Sequence, residues 1–191
     1  MGFLDALLGK SKVAPPASAD RLFALTTAYV DLETAQGIRT KGAAGLVFQQ
    51  LATADFAQIV AETQELLKGA GAETGTTITT EDDTFGYKWL IARDDDVEDL
   101  VVSLNTVADN LSIGGYADRI LAAVFAFEES GRPLYLIYNY KRGNWYPFVP
   151  AGGEQQRDNQ REFQLKAQLS GAALPFEEDL ARWFPLWGIP F

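Results

Sequence analysis

With 191 residues, 47% of them hydrophobic and 12% aromatic, the chain carries enough apolar mass for the core of a folded domain. It contains no histidine and no cysteine, which excludes Ser-His-Asp and Cys-His nucleophile pairs, His/Cys metal cages and disulfides. A formal net charge of −10 opposes binding to nucleic acid, and to anionic lipid, by charge alone.

The first element is Met-Gly-Phe-Leu-Asp-Ala-Leu-Leu-Gly-Lys-Ser-Lys at 1–12. At helical spacing Phe3, Leu4, Leu7 and Leu8 share one face, and Asp5 and Lys10 fall away from it. Pro15 and Pro16 cut this segment off from the rest of the chain. Residues 1–18 are therefore expected to be an amphipathic segment with a proline-containing linker, and 19–191 a single α+β domain. Burying four large apolar side chains is worth about 1.5–3 kcal/mol each. Ordering the backbone beneath them costs about 1–2 kcal/mol per residue, so the balance lies near zero and the segment is expected to fold on contact. Neither a span of roughly 18 apolar residues nor a signal-peptide pattern is present. Ala6 stands where the myristoylation pattern needs Ser or Thr.

Ser18 is placed to cap a short helix with Leu22 and Phe23 on its apolar side. Tyr29, Val30, Leu32 and Thr34 predict a strand, and Leu46 to Leu51 a second one beyond the Gly42–Gly45 break. The spacing of Phe56, Ile59, Val60, Thr63 and Leu67 predicts a helix over 55–68, stopped by Gly69 and Gly71. Strands are expected at 76–80 and 85–92, with Asp82-Asp83 in the turn. A helix opened by Asp95 or Asp96 runs to about Leu111 on the stripe Val97, Leu100, Val101, Leu104, Val107, and Gly114-Gly115 ends it. Three strands come next at 121–127, 134–140 and 145–149, the last two joined by Arg142-Gly143-Asn144. Gly152-Gly153 leads into a helix over 154–169. The order reads as three strand–strand–helix units, hence an α+β fold with an antiparallel sheet covered by helices on one side. The chain then ends on an unusually apolar stretch, with Trp183, Phe184, Trp187 and Phe191, which must pack on the body or meet a partner.

Other clusters read as structure. Asp94-Asp95-Asp96 with Glu98 and Asp99 lacks the EF-hand spacing and suits capping of a helix N-terminus. Gly69-Ala70-Gly71 follows a helix, where a phosphate loop would precede one. Glu128-Glu129 are adjacent, so they cannot flank one bond, and a solvated turn is expected for them. Tyr138, Tyr140, Arg142, Trp145 and Tyr146 make an aromatic and basic hairpin; cross-strand packing accounts for it, and it is also a candidate interaction surface. No residue is assigned as catalytic or as a metal ligand, and no cofactor is expected.

Met-Gly-Phe-Leu-Asp-Ala-Leu-Leu-Gly-Lys at 1–10, Leu-Phe-Ala-Leu at 22–25, Asn-Trp-Tyr-Pro-Phe at 144–148 and Phe-Pro-Leu-Trp-Gly-Ile-Pro-Phe at 184–191 resemble the PspA-associated protein PspAB family. The strand–strand–helix order is also similar to YbjN-like and type III secretion chaperone-like domains, a likeness of fold alone. The resemblance implies a cytoplasmic protein of the phage-shock, envelope-stress system, peripheral at the inner face of the cell membrane. It implies as partner a PspA-like protein or another envelope-stress component. The expected function is that of a non-enzymatic adaptor or regulator, docking through Phe3, Leu4, Leu7 and Leu8 on protein or on the membrane surface, with Trp183, Phe184, Trp187 and Phe191 bracing that surface. The alternatives are a chaperone-like binder of a peptide or unfolded client on the sheet face, and a metal-dependent enzyme built on carboxylates such as Asp94.

Overall fold

Leu22, Leu25, Ala28 and Leu32 recur at helical spacing and are all fully buried. That stripe carries a single helix, α1 (Ala19–Gln36), through the region where Tyr29 to Thr34 predicts a strand. The β-propensity of Tyr29 and Val30 loses because no sheet neighbour is available to them, and Val30 points outward at 59% exposure. The computed structural model describes residues 19–153, 155–169 and 174–191. The amphipathic segment, the proline linker and the Ser18 cap lie outside the described residues, as does Glu154 at the expected start of the last helix.

The remaining elements run in the order β1 (Ile38–Gln49), α2 (Ala54–Thr74), β2 (Thr77–Asp82), β3 (Tyr87–Arg93), α3 (Val97–Ile113), β4 (Ile120–Glu129), β5 (Arg132–Asn139), β6 (Asn144–Phe148) and α4 (Asn159–Leu169). Short 3-10 turns lie at Ala117–Arg119 and Leu180–Arg182. The second and third units keep the expected strand–strand–helix order, but the first has one strand, preceded by a helix. β1 is also longer than its apolar core suggests, because Gly42, at φ 65°, absorbs a bulge opposite β4 and lets the strand continue.

α2 does not stop at Gly69 or Gly71. It runs on to Thr74, and Gly75 closes it at φ 95°, its N–H donating to the Gly71 carbonyl at 2.7 Å. Gly71 is required for packing: a Cβ there would run into the Thr76 carbonyl oxygen. α4 starts later than expected, because Arg157 first pairs with Pro150 in an isolated antiparallel bridge. Asp158 then caps the helix, its Oδ1 accepting from the Arg161 N–H at 2.9 Å.

The strands form one six-stranded sheet in the order β2-β3-β1-β4-β5-β6, every neighbouring pair antiparallel. The architecture is α+β, an open antiparallel sheet plus four helices among the described residues. One face meets the helices through Leu46, Phe48, Leu90, Phe125, Phe127 and Leu136. The opposite face presents Val47, Trp89, Ile91, Val124, Ile137, Tyr146 and Phe148. Among the described residues it is the stretch 183–191, and not a helix, that covers this second face. Trp183 and Leu186 are buried on it, and Phe184, Trp187, Ile189 and Phe191 pack at its rim. Gly45 makes room for the strap, since a Cβ there would stand 2.6 Å from the Phe191 ring. Upstream of the strap, Phe176 bridges Trp145 in parallel: the Trp145 N–H donates to the Pro175 carbonyl and the Glu177 N–H to the Trp145 carbonyl, both at 2.8 Å, closing part of the β6 edge. Among the described residues no helix is long and apolar enough to cross a membrane.

Candidate functional site

The candidate residues of the hairpin divide by strand alternation. Tyr138 and Trp145 point into the helix-side core and Tyr146 into the strap-side core, each at 1% exposure or less. Trp145 lies 5.1 Å from Tyr138 and 5.7 Å from Phe125 between ring centroids, and its Nε1 donates to the Arg21 carbonyl at 2.8 Å. Tyr140 packs edge-on to Tyr138 at 5.0 Å. Arg142 alone of the five is exposed. The rings of Tyr138, Trp145 and Tyr146 are interior and that of Tyr140 is half-buried, because cross-strand aromatic pairing on a doubly covered sheet buries both sides.

The hydroxyls of Tyr138, Tyr140 and Tyr146 are buried and meet no hydrogen-bond partner among the described residues. Burial pushes Tyr138 up to about 12 and raises Tyr140 and Tyr146 further, since phenolate cannot be solvated there. A folded-state value above the unfolded one near 10 gives stability that is fully present below pH 10 and is lost as pH rises through the raised values. Of the seven tyrosines, these three are expected to ionise only as the protein unfolds. An absorbance titration of tyrosinate, run beside circular dichroism, checks this; smooth ionisation of all seven near pH 10 with the fold intact contradicts it.

The tail aromatics are brought together on the sheet. Phe191 meets Trp89 edge-on at 6.0 Å, Trp187 meets Phe148 at 5.0 Å, and Trp183 takes Phe163 at 5.8 Å with the Lys166 ammonium 5.8 Å from its ring. Hydrogen bonds anchor mainly the start of the strap. Trp183 Nε1 donates to the Glu177 carbonyl at 2.9 Å, and Arg157 Nη1 donates to the Trp183 carbonyl at 2.6 Å. Farther on, Tyr135 Oη reaches the Phe191 carbonyl at 3.5 Å, a weak contact.

Arg157 and Glu162 form a buried centre that sequence reasoning missed. Arg157 Nε lies 3.0 Å from both Glu162 oxygens, and Oε1 also accepts from the Val149 N–H at 2.9 Å. The Glu162 side chain is 1% exposed. Burial pushes its carboxyl up, ahead of the pull downward from Arg157 and from the Val149 N–H. The signal was present in the spacing: Glu162 shares a helical stripe with buried Leu165 and Leu169. The pair ties the end of β6, the start of α4 and, through Arg157, the strap.

The acidic cluster carries local structure. Asp96 Oδ1 accepts from the Glu98 N–H at 2.7 Å and caps α3, while Asp94 accepts from Thr76 Oγ1 at 2.6 Å and from the Asp96 N–H at 2.9 Å. Glu129 is not solvated as expected: its Oε1 lies 2.7 Å from Arg161 Nη2, pinning α4 to the end of β4.

Between α2 and α3 lies an open groove, a cavity of about 410 Å³. Ile59 and Leu66 line it from α2, and Asn110 and Ile113 from α3. Ile113 is 85% and Leu66 58% exposed. Both lie off the buried stripes of their helices, which is why periodicity passed over them. Phe3, Leu4, Leu7 and Leu8 lie outside the described residues.

Compared with known families, the chain matches PspA associated protein B over residues 1–191. No curated protein and no solved structure matches it.

Proposed function

As the chain belongs to the PspAB family, we propose that it serves as a non-enzymatic adaptor or regulator of a PspA-type envelope-stress response, acting at the cytoplasmic membrane face. Family membership links the protein to PspA; the adaptor mechanism is our reading. What carries it is that the family match begins at residue 1 and takes in the segment bearing Phe3, Leu4, Leu7 and Leu8. Four large apolar side chains on one helical face, tethered by Pro15 and Pro16, suit docking on a partner groove or at a bilayer surface. The engagement of Asp94, Asp96, Glu129 and Glu162 in caps and ion pairs supports a scaffold role for these carboxylates. The strap aromatics Trp183, Phe184, Trp187 and Phe191 brace the body on which the segment is displayed.

Deletion of residues 1–12 is expected to leave the melting temperature within a few degrees of wild type while abolishing co-purification with PspA. Co-purification at wild-type yield after the deletion sinks the assignment of the segment as the docking element. Vesicles with anionic lipid, added with and without PspA, separate a membrane contact from a protein contact.

A further inference from the structure

We infer that the groove between α2 and α3 is the resting dock of the chain's own residues 3–8, so that the segment is held on the body until a partner takes it. The inference rests on the reading of Phe3, Leu4, Leu7 and Leu8 as the partner-binding face and adds its regulation.

The groove has the chemistry for such an occupant. Its rim is aliphatic, formed by Ile59, Leu66 and Ile113, and exposed apolar side chains grouped in a concave site mark an interaction surface. Its polar floor is already paired, Asn110 Nδ2 donating to Thr63 Oγ1 at 3.1 Å, so it asks for no polar ligand. The charged residue in the lining is Glu62, and the residues just after the apolar segment include Lys10 and Lys12.

The reach also fits. α1 begins beside the β5–β6 turn: Trp145 Nε1 donates to the Arg21 carbonyl, and Arg21 Nη1 to the Gly143 carbonyl at 3.3 Å. That turn lies at the end of the sheet where α3 terminates, because β4, entered from α3 through Ala117–Arg119, pairs Ala122 with Asn139 at the end of β5. α3 packs against both α1 and α2. The groove is therefore about two interhelix spacings from α1, on the order of 20 Å. Residues 9–18 can span at most about 33 Å when extended. With a folding balance near zero, a segment docked there is exchangeable.

The chain has no cysteine, so a disulfide reports proximity cleanly. In the full chain, Leu7→Cys is combined with Ile113→Cys, and as control with Val30→Cys on the exposed side of α1. The Ile113 pair is expected to form an intramolecular disulfide at least tenfold faster than the Val30 pair. Equal rates overturn the inference, and so does a dimer as the sole product, which would make a second copy the occupant. The oxidised Leu7–Ile113 chain is then offered to purified PspA. Binding lost on oxidation and restored by reduction supports the regulation. Without the disulfide, but with PspA binding abolished by deletion of residues 1–12, the groove assignment falls and the adaptor reading stands. With the disulfide formed and PspA binding unchanged, the dock stands and the adaptor reading falls.

Discussion

Trp145→Ala is expected to cost about 3–5 kcal/mol of stability, the range for removing a large aromatic side chain from a packed interior. For a domain of this size each kcal/mol lowers Tm by about 2–4 °C, so the melting temperature should fall by roughly 6–20 °C. The indole is fully buried between Tyr138 and Phe125, and its N–H satisfies the Arg21 carbonyl in the first turn of α1. The same residue pairs with the 175–177 segment through its backbone. Its side chain therefore joins the start of α1 to the sheet, and its loss opens a cavity where two elements meet. Trp145→Phe keeps much of the ring packing but leaves the Arg21 carbonyl without the indole donor, and should lose about 1–3 kcal/mol. Equal losses for the two variants in a thermal melt would mean that the hydrogen bond, and not the packing, dominates.

Glu162→Ala is the second large effect, again about 3–5 kcal/mol, and for a different reason. The carboxylate is 1% exposed and the Arg157 side chain 19% exposed. Removing the acid leaves the guanidinium without its counter-charge and the Val149 N–H without its acceptor. Burial pushes the Glu162 carboxyl up against the downward pull of Arg157, and for buried ion pairs in general the cost of desolvation offsets much of the attraction. The pair as a whole therefore adds little net stability, although breaking it is costly. Arg157→Met combined with Glu162→Leu should recover at least half of the loss seen with Glu162→Ala. Urea unfolding of Arg157→Met, of Glu162→Leu and of the double variant closes the cycle. Additive losses would show that the two residues act independently.

Arg157 gives this pair a second consequence. Its Nη1 holds the Trp183 carbonyl at 2.6 Å, where the strap begins. Beyond that point the strap relies on ring contacts with Trp89 and Phe148 more than on hydrogen bonds. The strap also bears on the client-binding alternative. Among the described residues one face of the sheet packs on the helices and the other on 183–191, so a client bound on the second face would compete with the strap.

Local periodicity carried much of the fold. α3 was legible because its apolar stripe, its acidic N-terminal turn and its Gly114-Gly115 stop all agree. The β4–β5–β6 run was legible from β-branched and aromatic residues set between turn residues. Where local signals conflict, the sequence is silent on which prevails. Tyr29 to Thr34 satisfies a strand by propensity and a helix by the spacing of Leu22, Leu25, Ala28 and Leu32, and burial of the whole stripe decides for the helix. Gly69 and Gly71 read as stops because free glycine weakens a helix, yet at Gly71 the missing Cβ is what lets the Thr76 carbonyl pack against α2.

By itself the sequence determined the α+β class, the antiparallel strand content, the capping role of the acidic cluster and the presence of an apolar leading segment, because each depends on neighbours a few residues apart. Tertiary structure alone decided that 183–191 closes the second face of the sheet, that Tyr138, Trp145 and Tyr146 are interior, and that Ile113 and Leu66 flank an open groove. Each of these joins residues distant in the chain, as Gly45 meets Phe191 and Arg21 meets Trp145. Such pairings depend on strand order and on which face each strand turns inward, and those are settled only when the whole sheet assembles.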